Sequence, residues 1–307
     1  MRIAIIIPAF NVAPFLGEAI RSALAQTHTN WSLMVVDDGS TDATATVAAS
    51  FQDKRIHLIQ QDNAGVSAAR NRGIRHAEAT APDAFLFLDG DDWLAPNALE
   101  RLADAFDSAP WAVAACGRCA RVTADGTTHL SPAPHDGCLL ERLLIRNLFA
   151  NGGHLLIRRQ AVHAAGDFRS DLSYGEDWEY WTRLALLGEF VSVRSRTPVL
   201  FVRERAGSAM LTKAMDPAAY RPALDAIHRN PAIATRLGGS RLPHLRRRAD
   251  AEMAWAVGRE LIRHGQQRAG QRWLGRSIAG APSIRRMMLI GLSWLRIGPF
   301  RPYRTAA

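Results

Sequence analysis

The chain has 307 residues, 48% hydrophobic and 22% charged, which excludes a disordered protein and suits one large α/β domain with an appendage, or two domains. Its apolar runs stay below the roughly 18–20 residues of a membrane span, and three cysteines, an odd number, argue against a disulfide-framed secreted protein and for a reducing cytoplasm. The net charge of +9 is uneven: residues 206–307 hold 18 Lys+Arg against 5 Asp+Glu, a balance of +13, while residues 1–205 hold 20 against 24, a balance of −4.

The opening MRIAIIIPAF reads as a buried first strand over 3–8, being too short for a targeting segment and lacking a small-residue cleavage site. A helix over 13–26 follows, then a strand over 31–36, a helix over 41–51, a strand over 55–60, a helix over 65–79 and a strand over 84–88. This alternation predicts a mostly parallel sheet flanked by helices. A helix over 96–107, a strand over 111–123 with a turn at Asp125-Gly126, a helix over 139–149, a short strand over 154–158, a helix over 177–187 and strands over 190–193 and 198–202 complete the pattern. Beyond about residue 206 the strands stop. Amphipathic helices over 217–236, 243–265, 267–278 and 283–297 are broken by Gly and Pro. The expected division is an α/β domain over 1–208 and a basic helical extension over 209–307.

Asp89-Gly90-Asp91-Asp92 sits where the strand over 84–88 leaves the sheet. Three carboxylates within four residues repel one another, and a divalent cation carrying diphosphate oxygens would relieve that repulsion. Hard oxygen ligands suit Mg²⁺ or Mn²⁺, and strand ends are where open α/β sheets hold ligands. An Asp-rich turn capping the next helix is the plain alternative. The first strand ends in Pro8-Ala9-Phe10-Asn11 without Gly-x-Gly-x-x-Gly, and no Gly-Lys-Ser/Thr loop appears. A metal is therefore the expected substitute for a Gly-rich phosphate cradle.

In Val35-Val36-Asp37-Asp38-Gly39-Ser40-Thr41-Asp42, capping by Ser40 or Thr41 accounts for the turn. The Asp37-Asp38 pair is left over, and a carboxylate there can accept an N–H from a nucleobase. The small residues of Asn63-Ala64-Gly65-Val66-Ser67-Ala68-Ala69 let a helix approach the sheet closely. On that helix Arg70 offers a fork of donors to phosphate or base, or belongs to a solvated face. Glu176 and Asp177 open a later helix, where the dipole favours carboxylates; a carboxylate there can also take the proton of an attacking hydroxyl. Trp178 and Trp181 read as core before sugar platform.

Pro8-Ala9-Phe10-Asn11, Val35 to Asp42, Asn63 to Gly73, Phe87-Leu88-Asp89-Gly90-Asp91-Asp92-Trp93 and Gly175-Glu176-Asp177-Trp178-Glu179-Tyr180-Trp181 occur in this order. Together they resemble the family 2 glycosyltransferases with the GT-A fold, over residues 3 to about 208. The resemblance implies an inverting transferase using a nucleotide-diphosphate sugar, UDP-linked, with Mn²⁺ or Mg²⁺. It puts Pro8, Ala9, Asn11, Asp38, Arg70 and Asp89 at nucleotide-binding positions. Asp89, Asp91 and Asp92 match the metal motif, and Asp177 matches the catalytic base, with Glu176 beside it. The implied acceptor is a glycan or lipid-linked hydroxyl, in cell-surface glycan or glycolipid synthesis. Arg205 stands where relatives often carry a His, and residues 205–212 are a candidate lid. A nucleotidyltransferase would usually want a basic Gly-rich segment near the first strand. A non-catalytic sugar-nucleotide-binding scaffold would have no need of Asp177.

Cys116-x2-Cys119 and His135-x2-Cys138 approach zinc-ribbon spacing, but i and i+3 of a strand face opposite ways, so free thiols are expected. All cations but Lys54 and Lys213 are Arg, a uniformity that reads as coding bias. Arg246-Arg247-Arg248, Arg285-Arg286 and Arg301 to Arg304 form solvated helix faces or a membrane-surface patch. With the apolar run over 287–295 between Arg clusters, the expectation is peripheral attachment to the anionic inner face of the cytoplasmic membrane through about 283–304. No groove-reading or aromatic–basic motif supports nucleic acid as a partner.

Overall fold

In a computed structural model, which describes residues 1–134, 136–205 and 213–295, the first apolar run becomes β1 (Ile3–Ala9), buried everywhere but at Pro8. Burial on both faces explains why its sequence is continuously apolar instead of alternating. Next come α1 (Ala13–Leu24), β2 (Trp31–Asp38), α2 (Thr44–Ala49), β3 (Ile56–Gln61), α3 (Val66–Ala77) and β4 (Ala84–Phe87). They are followed by β5 (Trp93–Leu94), α4 (Ala98–Asp107), β6 (Ala114–Cys116), β7 (Cys119–Val122), β8 (Thr128–Leu130), α5 (Leu140–Leu143), β9 (Leu155–Arg158), α6 (Arg159–Ala165), α7 (Glu176–Leu187), β10 (Phe190–Ser192) and β11 (Leu200–Arg203). The helices α8 (Pro217–His228), α9 (Pro231–Leu237), α10 (Leu242–Arg263), α11 (Gln267–Gly280) and α12 (Ile284–Leu295) close the described chain.

The main sheet has the order β10-β6-β9-β4-β1-β2-β3. Its pairs are parallel except where β9 runs against both β4 and β6. The mostly parallel, helix-flanked sheet expected from the sequence is thus present. From β1 the chain winds outward to β2 and β3, then returns to β4 on the other side of β1. That reversal opens a crevice at the carboxyl ends of β1, β2 and β4. A second sheet, β5-β11-β7-β8, stands beside this end.

Several elements differ from the sequence expectation. The single strand over 111–123 is two strands in two sheets. The chain crosses between them at Gly117, where a Cβ would lie 2.4 Å from Val199 Cγ2. The helix over 217–236 breaks at Asn230, whose side chain accepts the Ala232 N–H and so starts α9. The helix over 139–149 is reduced to α5, and α6 was not foreseen. Cys116 and Cys119 are buried free thiols and Cys138 is an exposed one; His135 lies outside the described residues.

The chain divides into two compact units. One joins Met1–Leu139 to Phe149–Glu204; the other joins Leu140–Leu148 to the chain beyond Glu204. α5 and the segment after it go with the C-terminal helices because His228 Nε2 donates to the Leu144 carbonyl at 2.9 Å and Arg241 pairs with Glu141 at 2.8 Å. Among the described residues no helix is long and apolar enough to cross a membrane.

α3 lies close on β1 and β2 because Gly73 faces them. A Cβ there would sit 2.5 Å from Ile6 Cγ2 and 3.3 Å from Val36 Cγ2. Gly73→Ala should destabilise the α/β unit by about 1–3 kcal/mol through overpacking, although Ala alone favours a helix by about 1 kcal/mol. Denaturant unfolding measures the balance; a more stable variant would mean that α3 can shift outward.

Candidate active site

The loops at the crevice are fastened to one another. Asn11 adopts a left-handed φ of 51°, and its Oδ1 accepts the Thr41 N–H at 2.8 Å while its own N–H donates to Ser40 Oγ at 3.1 Å. Val12 N–H donates to Thr44 Oγ1 at 2.9 Å and Ala13 N–H to Asp42 Oδ2 at 3.1 Å. Ser40, Thr41 and Asp42 therefore hold the β1–α1 loop, and α2 begins only at Thr44. Pro8, half-buried, and Ala9, buried, lie at the end of β1 where this loop begins.

Asp38 is buried at the end of β2. Its Oδ1 accepts from Gln61 Nε2 at 2.7 Å and the Ala64 N–H at 2.9 Å, and its Oδ2 from the Gly65 N–H at 2.8 Å. A carboxylate offers about four acceptor positions, so Asp38 spends most of its capacity fixing the entry to α3. Asp37 accepts the Ser40 N–H.

From α3, Arg70 reaches back under the crevice and is only 4% exposed. Nη2 donates to Asp89 Oδ1 at 3.0 Å and Nη1 to Glu176 Oε1 at 3.0 Å. The guanidinium lies 5.4 Å from the Phe168 ring centre, and its buried Nε has no hydrogen-bond partner. The resulting cluster brings Asp89, from the turn after β4, to Glu176 and Asp177 at the start of α7. Burial pushes the Asp89 carboxyl up while Arg70 pulls it down, and the net direction is upward. Burial, then the Glu176 charge, push Asp177 up to about 7, with Arg70 opposing them. Asp177 Oδ1 also accepts the Trp178 N–H at 2.5 Å. Trp178 and Trp181 are buried, core residues as read from the sequence.

The three aspartates of the turn do not share one environment. Asp91 is half-buried. Asp92 is buried, and both its oxygens are engaged: Oδ2 by Asn151 Nδ2 at 2.5 Å, Oδ1 by the Arg203 N–H at 2.9 Å. The sequence reading groups Asp92 with Asp89 and Asp91 as metal ligands; here Asp92 also ties the turn into the fold. Among the described residues no three His, Cys, Asp or Glu side chains are grouped to hold an ion.

Asn151 and Arg203 are the residues that the motifs did not single out. Asn151 Oδ1 accepts the Gly153 N–H, which leaves its amide to face Asp92. Arg203 Nε donates to the Asp91 carbonyl at 3.2 Å, and its guanidinium pairs with Glu18 and lies 4.7 Å from the Trp93 ring centre. Next door, His154 donates through Nδ1 to the Gly117 carbonyl and accepts the Ala150 N–H at Nε2. Burial lowers its pKa to about 4, so it is a neutral structural group. Arg205 is half-buried at the end of the described stretch, and residues 206–212 of the candidate lid lie outside it.

Carboxylates thus gather at the strand ends of a mostly parallel α/β sheet. A sequence model described as Glycosyl transferase family 2 matches residues 4–165, more than half of the chain, and the chain belongs to that family. Glycosyltransferase GlyA of Streptococcus pneumoniae is 39% identical over 103 residues, covering 33% of this chain and 14% of that protein. EpsJ of Bacillus subtilis, an uncharacterized glycosyltransferase, is 36% identical over 117 residues, covering 38% of this chain and 33% of its own. The chain thus spans a third or less of the length of these two relatives. Among solved structures, S. aureus TarS 1-349 in complex with UDP-GlcNAc aligns with a TM-score of 0.63 at 17% identity, covering 96% of this chain and 92% of that one. The mannosyltransferase PcManGT from Pyrobaculum calidifontis, in complex with GDP-Man and Mn²⁺, aligns with 0.59 at 20% identity, covering 98% and 82%. These likenesses establish the GT-A-type fold.

The crowded carboxylates make a stability prediction. Asp177 ionises near pH 7 when folded and near 4 when unfolded, so its charge costs stability above pH 7 and the cost fades as pH falls towards 4. Asp177→Asn should raise Tm at pH 8 and lose most of that advantage at pH 4. Thermal unfolding at the two values is the measurement, and equal or lower Tm at pH 8 would refute the account of a carboxylate raised by burial and by the Glu176 charge.

Proposed function

We propose that this chain transfers a sugar from a nucleotide-diphosphate sugar, UDP-linked, to an acceptor hydroxyl with inversion at the anomeric carbon. The observation that carries the reading is the Arg70 bridge, which joins the carboxylate of the β4 turn to the start of α7. A donor bound along the β1, β2 and β4 ends would then lie with its anomeric carbon within reach of Asp177. Membership of the family and the nucleotide-sugar complexes of the two structural neighbours support this reading.

Asn11, Asp38, Pro8 and Ala9 border the place where the nucleoside would lie, and Arg70 and Asp89 border the diphosphate. Asp89 and Asp91 are the carboxylates that suit Mn²⁺ or Mg²⁺, which typically keeps one or two protein carboxylates and fills its shell with phosphate oxygens and water. The buried Nε of Arg70 and the excess of carboxylates fit an anionic diphosphate brought in with a cation. Such a cation, when bound, would offset negative charge developing on the leaving diphosphate.

Asp177 takes the proton of the acceptor hydroxyl as its oxygen attacks the anomeric carbon. The nucleoside diphosphate leaves with the electron pair of the broken bond between its terminal oxygen and the anomeric carbon. Glu176 holds Arg70 and keeps the carboxylate pair in place. The acceptor is read as a glycan or lipid-linked hydroxyl, in the synthesis of cell-surface glycan or glycolipid on the cytoplasmic side. A nucleotidyltransferase would release diphosphate, and a non-catalytic scaffold would release nothing. Appearance of free nucleoside diphosphate from a nucleotide sugar separates the three.

A panel of nucleotide sugars tested by thermal shift with Mn²⁺ identifies the donor, which should raise Tm by mass action. Chelator should abolish turnover and Mn²⁺ or Mg²⁺ restore it; full activity in chelator would remove the metal from the mechanism. Asp91→Ala should lose metal-dependent nucleotide binding without unfolding.

Asp177→Asn should reduce kcat by about 10²–10⁴-fold and change nucleotide affinity little. Because the base must be ionised, kcat/KM should fall with decreasing pH below about 7, close to tenfold per unit. Normal turnover by Asp177→Asn would transfer the role to Glu176.

A further inference from the structure

α12 carries two opposed faces. Leu289, Ile290 and Leu292 pack against the buried Ile262 and Leu274 of α10 and α11. Gln267 Nε2 donates to the Ser293 carbonyl at 2.6 Å, Arg286 pairs with Glu252, and Arg286 Nη1 donates to the Ala281 carbonyl at 3.2 Å. The helix is thus anchored within the C-terminal unit on one side. On the other side stand Ile284, Met287, Met288 and Trp294, exposed by 74%, 51%, 75% and 68%. With Gly291 they fall at i, i+3, i+4, i+7 and i+10, one stripe about 15 Å long at 1.5 Å per residue.

The described residues expose nine large apolar side chains, and these four are gathered on one helix. A contiguous patch of this kind marks a contact surface, whereas scattered apolar residues do not. The same unit also exposes cations. Arg268, Arg272 and Arg276 are exposed along one row of α11, opposite the buried Gly270, Leu274 and Ser277.

We infer that the outward stripe of α12 is a docking surface for an anionic phospholipid bilayer. The helix lies in the plane of the headgroups with Ile284, Met287, Met288 and Trp294 inserted. Charge selects this occupant over a second copy of the chain. Residues 206–307 carry a balance of +13, which opposes bringing two such units together and favours a surface of anionic lipid. Trp and Met are suited to the boundary between headgroups and acyl chains, where apolar bodies are buried and the polar face of the helix stays hydrated.

The test uses the intact chain sedimented with vesicles of phosphatidylglycerol or of phosphatidylcholine at low salt. Binding to phosphatidylglycerol should exceed binding to phosphatidylcholine by about tenfold or more and weaken steeply with salt, as screening requires. The double variant Met288→Asp with Trp294→Asp alters exposed positions only. It should keep the circular dichroism of the parent and bind at least about tenfold less, since each change removes inserted area and adds repulsion. Arg268→Glu with Arg272→Glu should weaken binding without touching the stripe, which keeps the inference testable if the first variant misfolds. No binding to phosphatidylglycerol by the intact chain overturns it, as does unchanged binding by the Met288, Trp294 variant. A concentration-dependent dimer dissolved by that variant would instead assign the stripe to a second copy. None of these readouts involves sugar transfer, so they stand or fall separately from it.

Discussion

The guanidinium of Arg70 is the contact on which the site depends. It is buried, and its two terminal nitrogens go to carboxylates from different parts of the α/β unit, Asp89 after β4 and Glu176 at α7. A buried charge without a partner costs several kcal/mol, so the buried Arg70 needs its two carboxylates. That requirement fixes α3, the β4 turn and the N-terminus of α7 against one another. Yet one Arg does not balance the carboxylates around it. Asp89 and Asp177 both remain harder to ionise than a carboxyl in water. The cluster is geometrically closed but electrostatically short of positive charge, which is the condition under which a cation-bound anion is welcome.

The second sheet supplies the complementary restraint. β11 delivers the Arg203 N–H to Asp92 and the Arg203 side chain to the Asp91 carbonyl, while Asn151 closes on the other oxygen of Asp92. Trp93 stacks on Phe201 of β11 at 5.3 Å between ring centres, which keeps the strand and the turn together. Asp92 is therefore a peg for the turn. Asp89, three residues earlier, is left to meet Arg70. Precision at a site of this kind comes from such supporting contacts as much as from the groups that meet the ligand.

The division between what the sequence reveals and what it conceals follows the range of the interactions. Strand ends bearing Asp38, Asp89 and Asp177-containing helix starts were legible because β–α alternation is local and carboxylates at the end of an apolar run stand out. Asp91 and Asp92 are chemically identical neighbours, and only Asn151 and Arg203, distant in the chain, distinguish them. Ser40, Thr41 and Asp42 read as caps of their own helix because capping is the short-range use of such residues. Ser40 and Thr41 bond instead to the β1–α1 loop, and Asp42 divides its oxygens between that loop and the Thr44 N–H at the start of α2, an arrangement that only the pairing of β1 with β2 brings together. β5 and α6 were missed because two and seven residues are too few to show a period. The break between α8 and α9 was readable in principle, since Asn230-Pro231 is a strong helix-start signal; the surrounding apolar spacing obscured it.

Burial decides which charges in this chain are informative. The carboxylates at the crevice are partly withdrawn from water and crowded, so holding them there costs stability. The arginines of the C-terminal unit are mostly in water, where a charge costs little and a coding bias towards Arg can accumulate without consequence. Their number alone therefore says little about a partner. What gives them meaning is the exposed stripe on α12, because apolar side chains held in water carry a cost of their own, on the order of 25 cal/mol for each Å² left uncovered. Cationic excess and uncovered apolar area within one small unit are costs of opposite origin, and an anionic lipid surface relieves both at once.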